Sequence, residues 1–165
     1  MDNIILIGMP GCGKSTVGVL LAKRLGYRYT DVDLLIQEAA GKRLFEILRD
    51  DGADYFAALE NRIGASVDAT RTVIATGGSM VYGTAAMAHL KSIGTVVYLR
   101  VPLDELTKRV NNFETRGVLM QSGQTLADIF EERTPLYEKY ADITVDCDGG
   151  DLADNALRIE KALGL

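Results

Sequence analysis

The sequence has few of the residues that build disulfide frameworks and protein-held metal sites. Among its 165 residues there are two cysteines and one histidine. Cys12 and Cys147 form no disulfide framework, and neither stands in a metal-ligand spacing. His89 lies among expected helical residues, remote from every motif described below. The cysteines and the histidine therefore indicate neither a disulfide-stabilised protein nor a zinc protein.

Long apolar runs and an excess of positive charge are also missing. No apolar run approaches the length that spans a membrane, and no signal peptide precedes the first expected strand. Eighteen basic residues against 23 acidic ones give a net charge of −5. This balance argues against nucleic acid or an anionic membrane as the main partner, because both reward positive charge. We expect a cytoplasmic, monomeric protein that binds neither.

Length and composition suit one globular domain. Hydrophobic residues make up 47% of the chain and charged residues 25%, which is ordinary for a globular protein. The chain is long enough to bury a substantial core. Its proline and glycine clusters fall at expected turns rather than in a linker. We therefore expect a single domain over residues 1–165.

A phosphate-binding loop stands near the N-terminus. Residues 8–15 read Gly-Met-Pro-Gly-Cys-Gly-Lys-Ser and fill every fixed position of G-x-x-x-x-G-K-[ST]. An apolar run precedes the loop, and a helical pattern ended by Gly26 follows it. Lys14 is expected to reach the β- and γ-phosphates of a nucleotide, and the Ser15 hydroxyl to bind Mg²⁺. A glycine-rich turn that binds nothing is the alternative.

Short apolar segments alternate with helical patterns along the whole chain. Strands are expected at residues 4–7, 27–30, 72–75, 95–99 and 143–145. Helices are expected at residues 17–25, 34–40, 44–66 with a break near 51–52, 84–93 and 103–111, after Thr125, and from Asp151 onward. This alternation predicts an α/β fold with a parallel sheet covered on both faces. The first three strand ends should meet in one cleft.

Two aspartates, Asp31 and Asp33, follow the second expected strand. If the strand continues, both carboxylates point to the same side. One could then hold Mg²⁺, directly or through water, while the other contacts a substrate hydroxyl as acceptor or base. Alternatively, Asp33 caps a helix that begins at Leu34. The spacing alone leaves both interpretations open.

Two arginines are further candidates. Residues 111–124 lack periodicity and contain Gly117 and Gly123, which predicts a mobile lid. Arg116 in this segment is either a solvated loop residue or a cation that stabilises a transferring phosphoryl group. Arg133 either pairs with a neighbouring glutamate across a helix surface or belongs to the site.

With these motifs in this order, the chain resembles the shikimate kinase family of P-loop small-molecule kinases. The resemblance runs from residue 1 to about residue 146. It rests on the P-loop with Thr16, Asp31-x-Asp33, Thr76-Gly77-Gly78, Arg116, and residues 132–137, Glu-Arg-Thr-Pro-Leu-Tyr. It implies a three-layer α/β/α fold with a five-stranded parallel sheet in the order 2-3-1-4-5. It also implies a substrate-binding helical segment at about residues 32–62 and a lid at about residues 111–124.

The resemblance further implies the reaction and the residues that carry it. ATP with Mg²⁺ would be the phosphoryl donor, and the 3-hydroxyl of shikimate the acceptor. The implied nucleotide-binding residues are Gly11, Cys12, Gly13, Lys14, Ser15, Thr16, Arg109 and Arg116. The implied metal ligands are Ser15 and Asp31. The implied substrate-binding residues are Asp33, Glu60, Gly77, Gly78 and Arg133, and the implied catalytic residues are Lys14, Asp33 and Arg116.

Three positions depart from the family pattern. Ala57 follows Phe56 where the family has an arginine that clamps the substrate carboxylate, although Glu60 is retained. Ser79 replaces the third glycine of a triplet, and Gly117 replaces a proline, which predicts a more flexible lid. Loss of the arginine should weaken binding by roughly 2–5 kcal/mol if nothing compensates.

These departures leave two alternatives beside shikimate phosphorylation. The chain could phosphorylate a different small hydroxylated acceptor, such as an amino acid or a polyol. It could also be a nucleotide-binding module that has lost catalysis.

Overall fold

The computed structural model describes residues 3–109 and 117–165. Its centre is a five-stranded sheet in which every neighbouring pair is parallel. The strands are β1 (Asn3–Ile7), β2 (Arg28–Asp31), β3 (Thr72–Ala75), β4 (Gly94–Arg100) and β5 (Ile143–Asp146). Their order in the sheet is β2-β3-β1-β4-β5, which confirms the expected order 2-3-1-4-5.

Helices fill the connections between the strands. They are α1 (Lys14–Leu25), α2 (Val32–Ala40), α3 (Leu44–Asp51), α4 (Ala53–Ala65), α5 (Thr84–Ile93), α6 (Leu103–Arg109), α7 (Leu126–Tyr140) and α8 (Leu152–Ala162). A short 3₁₀ helix covers Met80–Tyr82. Within the described residues, no helix combines the length and apolar character needed to cross a membrane.

The core lies on both faces of the sheet. All five residues of β1 and all four of β3 are buried, as expected of central parallel strands covered by helices on each side. Val17 and Leu21 of α1 and Ile159 of α8 are fully buried. Leu152, at the start of α8, is 37% exposed and lies beside Gly13 of the P-loop.

The register of the sheet brings three strand ends to the same level. Leu6 of β1 and Asp31 of β2 both pair with Ala75 of β3. The Thr76 hydroxyl extends this pairing by donating to the carbonyl of Leu6 across 2.9 Å. The segments that follow β1, β2 and β3 therefore leave the sheet side by side, at the edge where ligands of parallel α/β folds bind.

The turn between β2 and α2 differs from both sequence interpretations. Strand β2 ends at Asp31 and α2 begins at Val32, so the strand does not continue through Asp33. The N-cap is Asp31, whose Oδ1 accepts a hydrogen bond from the backbone N–H of Asp33 at 3.0 Å. Assigning the cap to Asp33 was therefore wrong, and Asp33 lies in the first turn of the helix, free to face the cleft.

The later boundaries agree closely with expectation. The break between α3 and α4 falls at Gly52, and α5 covers residues 84–93 as predicted. Thr125 and Asp128 form a complete capping box at the start of α7, with hydrogen bonds of 2.8 and 3.2 Å. The expected extension of α6 to residue 111 falls partly outside the described residues.

Candidate active site

A cleft of about 360 Å³ opens at the carboxyl ends of β1, β2 and β3. The P-loop forms one wall, α2 and α4 form another, and the loop after β3 forms the floor. Side chains from α6, α7 and residues 117–119 complete it. The residues with predicted roles that line the cleft are Gly11, Gly13, Lys14, Ser15, Thr16, Asp33, Glu60, Gly77, Gly78, Arg109 and Arg133.

The P-loop holds its lysine against its own backbone. Lys14 Nζ donates to the carbonyl oxygens of Gly8 at 2.7 Å and Met9 at 2.9 Å, and the lysine is almost wholly buried. Gly8 itself can have no side chain, because a Cβ there would lie 2.8 Å from the carbonyl oxygen of Leu99. The P-loop is thus anchored to β4 while its lysine lies at the cleft.

Cys12 contributes to the shape of the loop through its backbone. Its N–H donates to the carbonyl of Met9 at 3.2 Å, and its side chain is fully buried. The thiol therefore belongs to the core below the loop, where it lies 3.5 Å from Lys14 Nζ.

Ser15 and Asp31 form the candidate metal pair. The Ser15 hydroxyl donates to Asp31 Oδ2 across 2.8 Å, which links the first turn of α1 to the end of β2. Tyr29 donates to the same carboxylate oxygen at 3.2 Å. Within residues 3–109 and 117–165, no group of three or more His, Cys, Asp or Glu side chains could hold a metal ion alone.

Asp33 projects from the first turn of α2 into the cleft. Its Oδ1 lies next to Gly77, since a Cβ on that glycine would be 2.8 Å from this oxygen. Burial raises the pKa of Asp33 to about 6, the negative charge of Asp31 adds to the rise, and Lys14 opposes it. The carboxylate can therefore exchange a proton near neutral pH.

Glu60 of α4 lies at the floor of the cleft and is only 3% exposed. Its Oε1 accepts a hydrogen bond from the Ser79 hydroxyl at 2.7 Å, whereas its buried Oε2 has no partner among the described residues. Burial raises the pKa of Glu60 to about 7, while the Ser79 hydrogen bond and the charge of Arg133 act in the opposite direction.

Arg133 of α7 reaches the cleft from the opposite side. Its Nη2 donates to the carbonyl of Leu119, and its Nε donates to the Tyr82 hydroxyl at 3.4 Å. The Tyr82 ring also lies under the guanidinium, 5.4 Å from its carbon. Within the described part of the chain, the buried Nη1 has no partner. The exposed Glu131 and Glu132 form no ion pair with Arg133, so pairing across the helix surface was the wrong alternative.

Tyr137 of α7 also supports the cleft. Its ring stacks on Tyr98 with a centroid distance of 5.1 Å, and its hydroxyl donates to the carbonyl of Gly78 at 2.6 Å. A Cβ on Gly78 would lie 2.8 Å from Pro10 of the P-loop. Gly78 is therefore held between the P-loop and α7. The one sequence signal for this contact is the position of Tyr137, which lies one turn after Arg133 on the same helix.

The segment predicted to be a lid, residues 111–124, is described only in part. Arg116 lies outside the described residues, whereas Gly117, Val118 and Leu119 line the cleft. Gly117 is buried at φ +66°, and a Cβ there would lie 2.3 Å from Leu44 Cβ. The glycine therefore allows residue 117 to pack directly on α3, which differs from the expectation of a loosened hinge.

Comparison with known proteins identifies the family. The family model for shikimate kinase matches residues 10–163. A shikimate kinase of Persephonella marina is 37% identical over 150 residues, covering 90% of this chain and 91% of that protein. One from Microcystis aeruginosa is 40% identical over 146 residues, covering 87% and 76%. The chain belongs to the shikimate kinase family.

Solved structures of shikimate kinases share the fold over nearly the whole chain. The enzyme from Acinetobacter baumannii in complex with shikimate aligns with a TM-score of 0.89 at 31% identity, covering 99% of this chain and 94% of that one. The enzyme from Aquifex aeolicus aligns with a TM-score of 0.82, also at 31% identity, covering 98% and 96%. The resemblance drawn from the motifs is confirmed.

The acceptor end of the cleft has one cation fewer than the family pattern, because position 57 is alanine instead of arginine. Ala57 is half-buried in α4 and is not among the residues that line the cleft, and Arg62 on the same helix is exposed. The described cations that line the cleft are Lys14, Arg109 and Arg133. Arg109 also pairs with Glu105 one turn earlier in α6. Arg133 is therefore the described cation that lies beside Gly78 at the acceptor end.

Proposed function

We propose that this chain is a shikimate kinase that transfers the γ-phosphoryl group of ATP to the 3-hydroxyl of shikimate. The observation that carries the proposal is the meeting of Lys14, Asp33 and Arg133 in one cleft of a shikimate kinase family member. These residues supply a phosphate-binding cation, a proton acceptor and a carboxylate-binding cation, which are the groups that this transfer needs.

At the donor end, the backbone N–H groups of residues 11–16 and Lys14 would hold the phosphates of ATP. Lys14 Nζ now donates to two loop carbonyls and to Cys12 Sγ, so a nucleotide phosphate would compete with these partners for its three donors. Arg109 lines the cleft beyond the loop and would lie over the nucleotide base. We propose that Arg116, outside the described residues, approaches the transferring group from the lid.

The residues present fit a magnesium ion. Ser15 and Asp31 offer a hydroxyl and a carboxylate oxygen 2.8 Å apart, and adjacent oxygens around an octahedral Mg²⁺ are separated by about 2.9 Å. Both are hard oxygen ligands, and Mg²⁺ usually combines one or two of these with substrate phosphates and water. Bound there, Mg²⁺ would supply positive charge to the phosphate chain.

At the acceptor end, Asp33 would orient the hydroxyl that attacks. As the hydroxyl oxygen bonds to the γ-phosphorus, the bond from that phosphorus to the β,γ-bridging oxygen breaks and ADP departs. The proton of the hydroxyl passes to Asp33, whose pKa of about 6 suits a group that accepts it and releases it to water.

Arg133 would bind the carboxylate of shikimate through Nη1. This nitrogen is buried and unpartnered among the described residues, and a buried guanidinium N–H without an acceptor is costly. Gly77 and Gly78 would let the substrate ring approach the backbone, since side chains there would meet Asp33, Glu60 and Pro10.

We also propose how the chain is organised and where it works. Residues 1–165 would act as one kinase domain, with substrate-binding segment 32–62 and lid 111–124, and as a monomer. The two buried cysteines are free, which fits a reducing, cytoplasmic environment. Light scattering across a concentration series tests the monomer.

A turnover assay with an acceptor panel tests the proposal. ADP release is measured with shikimate, with other hydroxylated acids, and with amino acids and polyols. Saturable turnover that is strongest with shikimate is the expected result. Stronger use of an acceptor without a carboxylate would favour the second candidate, a kinase for another small alcohol, which Ala57 supports. ATP binding without any transfer would favour a silent nucleotide-binding module.

A further inference from the structure

Ser79 and Glu60 form a buried hydrogen bond at the floor of the cleft. The serine is 4% exposed and the glutamate 3%, and the hydroxyl lies 2.7 Å from Oε1. The contact joins the loop after β3 to α4. Ser79 has φ −91° and ψ −2°, a negative-φ conformation that residues with side chains adopt in type I turns. The backbone conformation therefore requires neither serine nor glycine at this position. The feature that distinguishes serine here is the hydrogen bond from its hydroxyl to Glu60.

The second oxygen of Glu60 is aimed into the cleft. Oε2 is buried and has no hydrogen-bond partner among the described residues. A Cβ on Gly77 would lie 2.9 Å from it and 2.8 Å from Asp33 Oδ1. The two carboxylates therefore approach the same point, on the floor of the cleft. A buried carboxylate oxygen left without a donor is unfavourable, and a ligand with a hydroxyl would satisfy it.

Among the described residues, no cation forms an ion pair with Glu60. Within residues 3–109 and 117–165, Glu60 takes part in no ion pair, and position 57, one turn earlier in α4, is alanine. The Ser79 hydroxyl is consequently the described group that fixes the rotation of the carboxylate. Without it, either oxygen could turn toward the cleft or away from it.

From these contacts we infer that Ser79 is a positioning residue for the acceptor. By binding Glu60 Oε1, its hydroxyl directs Oε2 into the cleft, where it accepts a hydrogen bond from a hydroxyl of the substrate. The inference rests on the proposed kinase function and assigns Ser79 no contact with the reacting atoms. It gives the serine a part in acceptor specificity.

The charge of Glu60 supplies a second readout. Asp33 faces it across Gly77 and disfavours its ionisation, Arg133 favours it, and Lys14 acts on neighbouring Asp33. The Ser79 hydrogen bond also favours the ionised form and so lowers the pKa of Glu60. Because an ionised carboxylate only accepts hydrogen bonds, removing the hydroxyl should shift the loss of acceptor binding to a higher pH.

The test compares Ser79→Ala and Ser79→Gly with the wild-type protein. At pH 7.5 we expect the KM for shikimate to rise about tenfold in both, which is the effect of one hydrogen bond to a charged group. We expect kcat and the KM for ATP to change less than about threefold, because the donor end is untouched. The acidic limb of kcat/KM for shikimate should move to higher pH. Ser79→Thr, which keeps the hydroxyl, should keep the wild-type pH limb.

The matched control is Thr72→Val. Thr72 is a buried residue of β3, at the end of the strand away from the cleft, and its hydroxyl donates to the carbonyl of Thr70 at 2.9 Å. Its substitution should lower thermal stability and leave the KM for shikimate and the pH profile unchanged. If the KM for shikimate rose equally in this control, loss of stability would explain the Ser79 effect, and the inference would be wrong.

Three further outcomes separate this inference from the proposed function. If the folded Ser79 variants keep the wild-type KM and pH limb, the positioning role is wrong, although the kinase function stands. If the wild type prefers another acceptor, the proposed substrate is wrong, and the same comparison with that acceptor still decides the role of Ser79. A wild-type protein that phosphorylates no acceptor overturns both.

Discussion

Asp33 Oδ1 and Glu60 Oε2 meet at Gly77: a Cβ atom on this glycine would lie 2.8 Å from the first oxygen and 2.9 Å from the second. The two carboxylates come from different helices, α2 and α4, and touch the same loop after β3. The glycine is thus the point around which the acceptor end of the cleft is arranged.

Gly77→Ala should therefore lower catalytic activity more than it lowers the stability of the fold. The added methyl group has to displace both carboxylates, and a shift of about 1 Å in a reacting group can cost about 10²-fold in rate. We expect kcat/KM for shikimate to fall by about that factor, measured by ADP release. The matched control is Gly150→Ala, where a Cβ would meet nothing closer than 3.4 Å and activity should persist. Near-normal turnover of Gly77→Ala would contradict the geometry.

Lys14→Ala should abolish most phosphoryl transfer in a protein that still folds. The lysine would neutralise charge on the transferring group, and loss of one such interaction costs about 10²–10³-fold in kcat. The substitution also leaves the carbonyls of Gly8 and Met9 unpaired, so we expect about 1–3 kcal/mol less stability without nucleotide. Urea unfolding and single-turnover kinetics measure both effects. Lys23→Ala, at an exposed position of the same helix, is the control that should change neither.

Stability should fall as pH rises through the acidic range. Burial raises the pKa of Asp33 to about 6 and that of Glu60 to about 7, above their values in an unfolded chain. Between about pH 4 and pH 7 the folded protein therefore holds protons that the unfolded chain has released, and the free energy of unfolding decreases with pH. This stabilisation is complete below the unfolded pKa values and lost above the folded ones.

Glu60→Gln tests this dependence, because glutamine cannot titrate. We expect the variant to lose about 2–3 kcal/mol of the pH-dependent change in the free energy of unfolding, measured by urea denaturation across this range. Glu131→Gln on the exposed face of α7 should keep the wild-type slope. Parallel curves for Glu60→Gln and wild type would show that Glu60 ionises normally in the folded protein.

Two glycines of the predicted lid distinguish the effect of backbone strain from the effect of packing. Gly117 and Gly123 both have positive φ, +66° and +85°, so alanine strains the backbone at either site. Only at Gly117 would a Cβ collide, at 2.3 Å from Leu44 Cβ and 2.8 Å from the backbone nitrogen of Phe45. We expect Gly117→Ala to lower the melting temperature and the activity clearly more than Gly123→Ala. Equal effects would mean that residue 117 does not pack on α3.

The sequence locates the P-loop residues that line the cleft because the motif is local. Its glycines, Lys14 and Ser15 lie within one loop and one helical turn, and the strand order follows from the family resemblance. The sequence does not decide where α2 begins, since Asp31 and Asp33 are both good N-caps two residues apart. Because Asp31 pairs with Ala75, it is the last residue of the strand and becomes the N-cap of the helix that follows.

The acceptor half depends on contacts between distant parts of the chain. Ser79 meets Glu60 from another element, Tyr137 reaches Gly78, and Arg133 reaches Leu119. None of these pairs follows from helical or strand spacing, so the sequence shows Ser79 and Gly117 only as departures from a pattern. Ser79 binds the Glu60 carboxylate and Gly117 packs on α3, and both contacts become visible only in the folded chain.

The central claim is tested most directly by identifying the products formed from ATP, Mg²⁺ and shikimate. Phosphorus NMR should show ADP and a shikimate phosphate ester appearing in equal amounts until the shikimate is exhausted. Asp33→Ala, added as a folded control, should form the ester at a small fraction of the wild-type rate. Release of inorganic phosphate alone, or an ester formed equally fast by Asp33→Ala, would contradict the account.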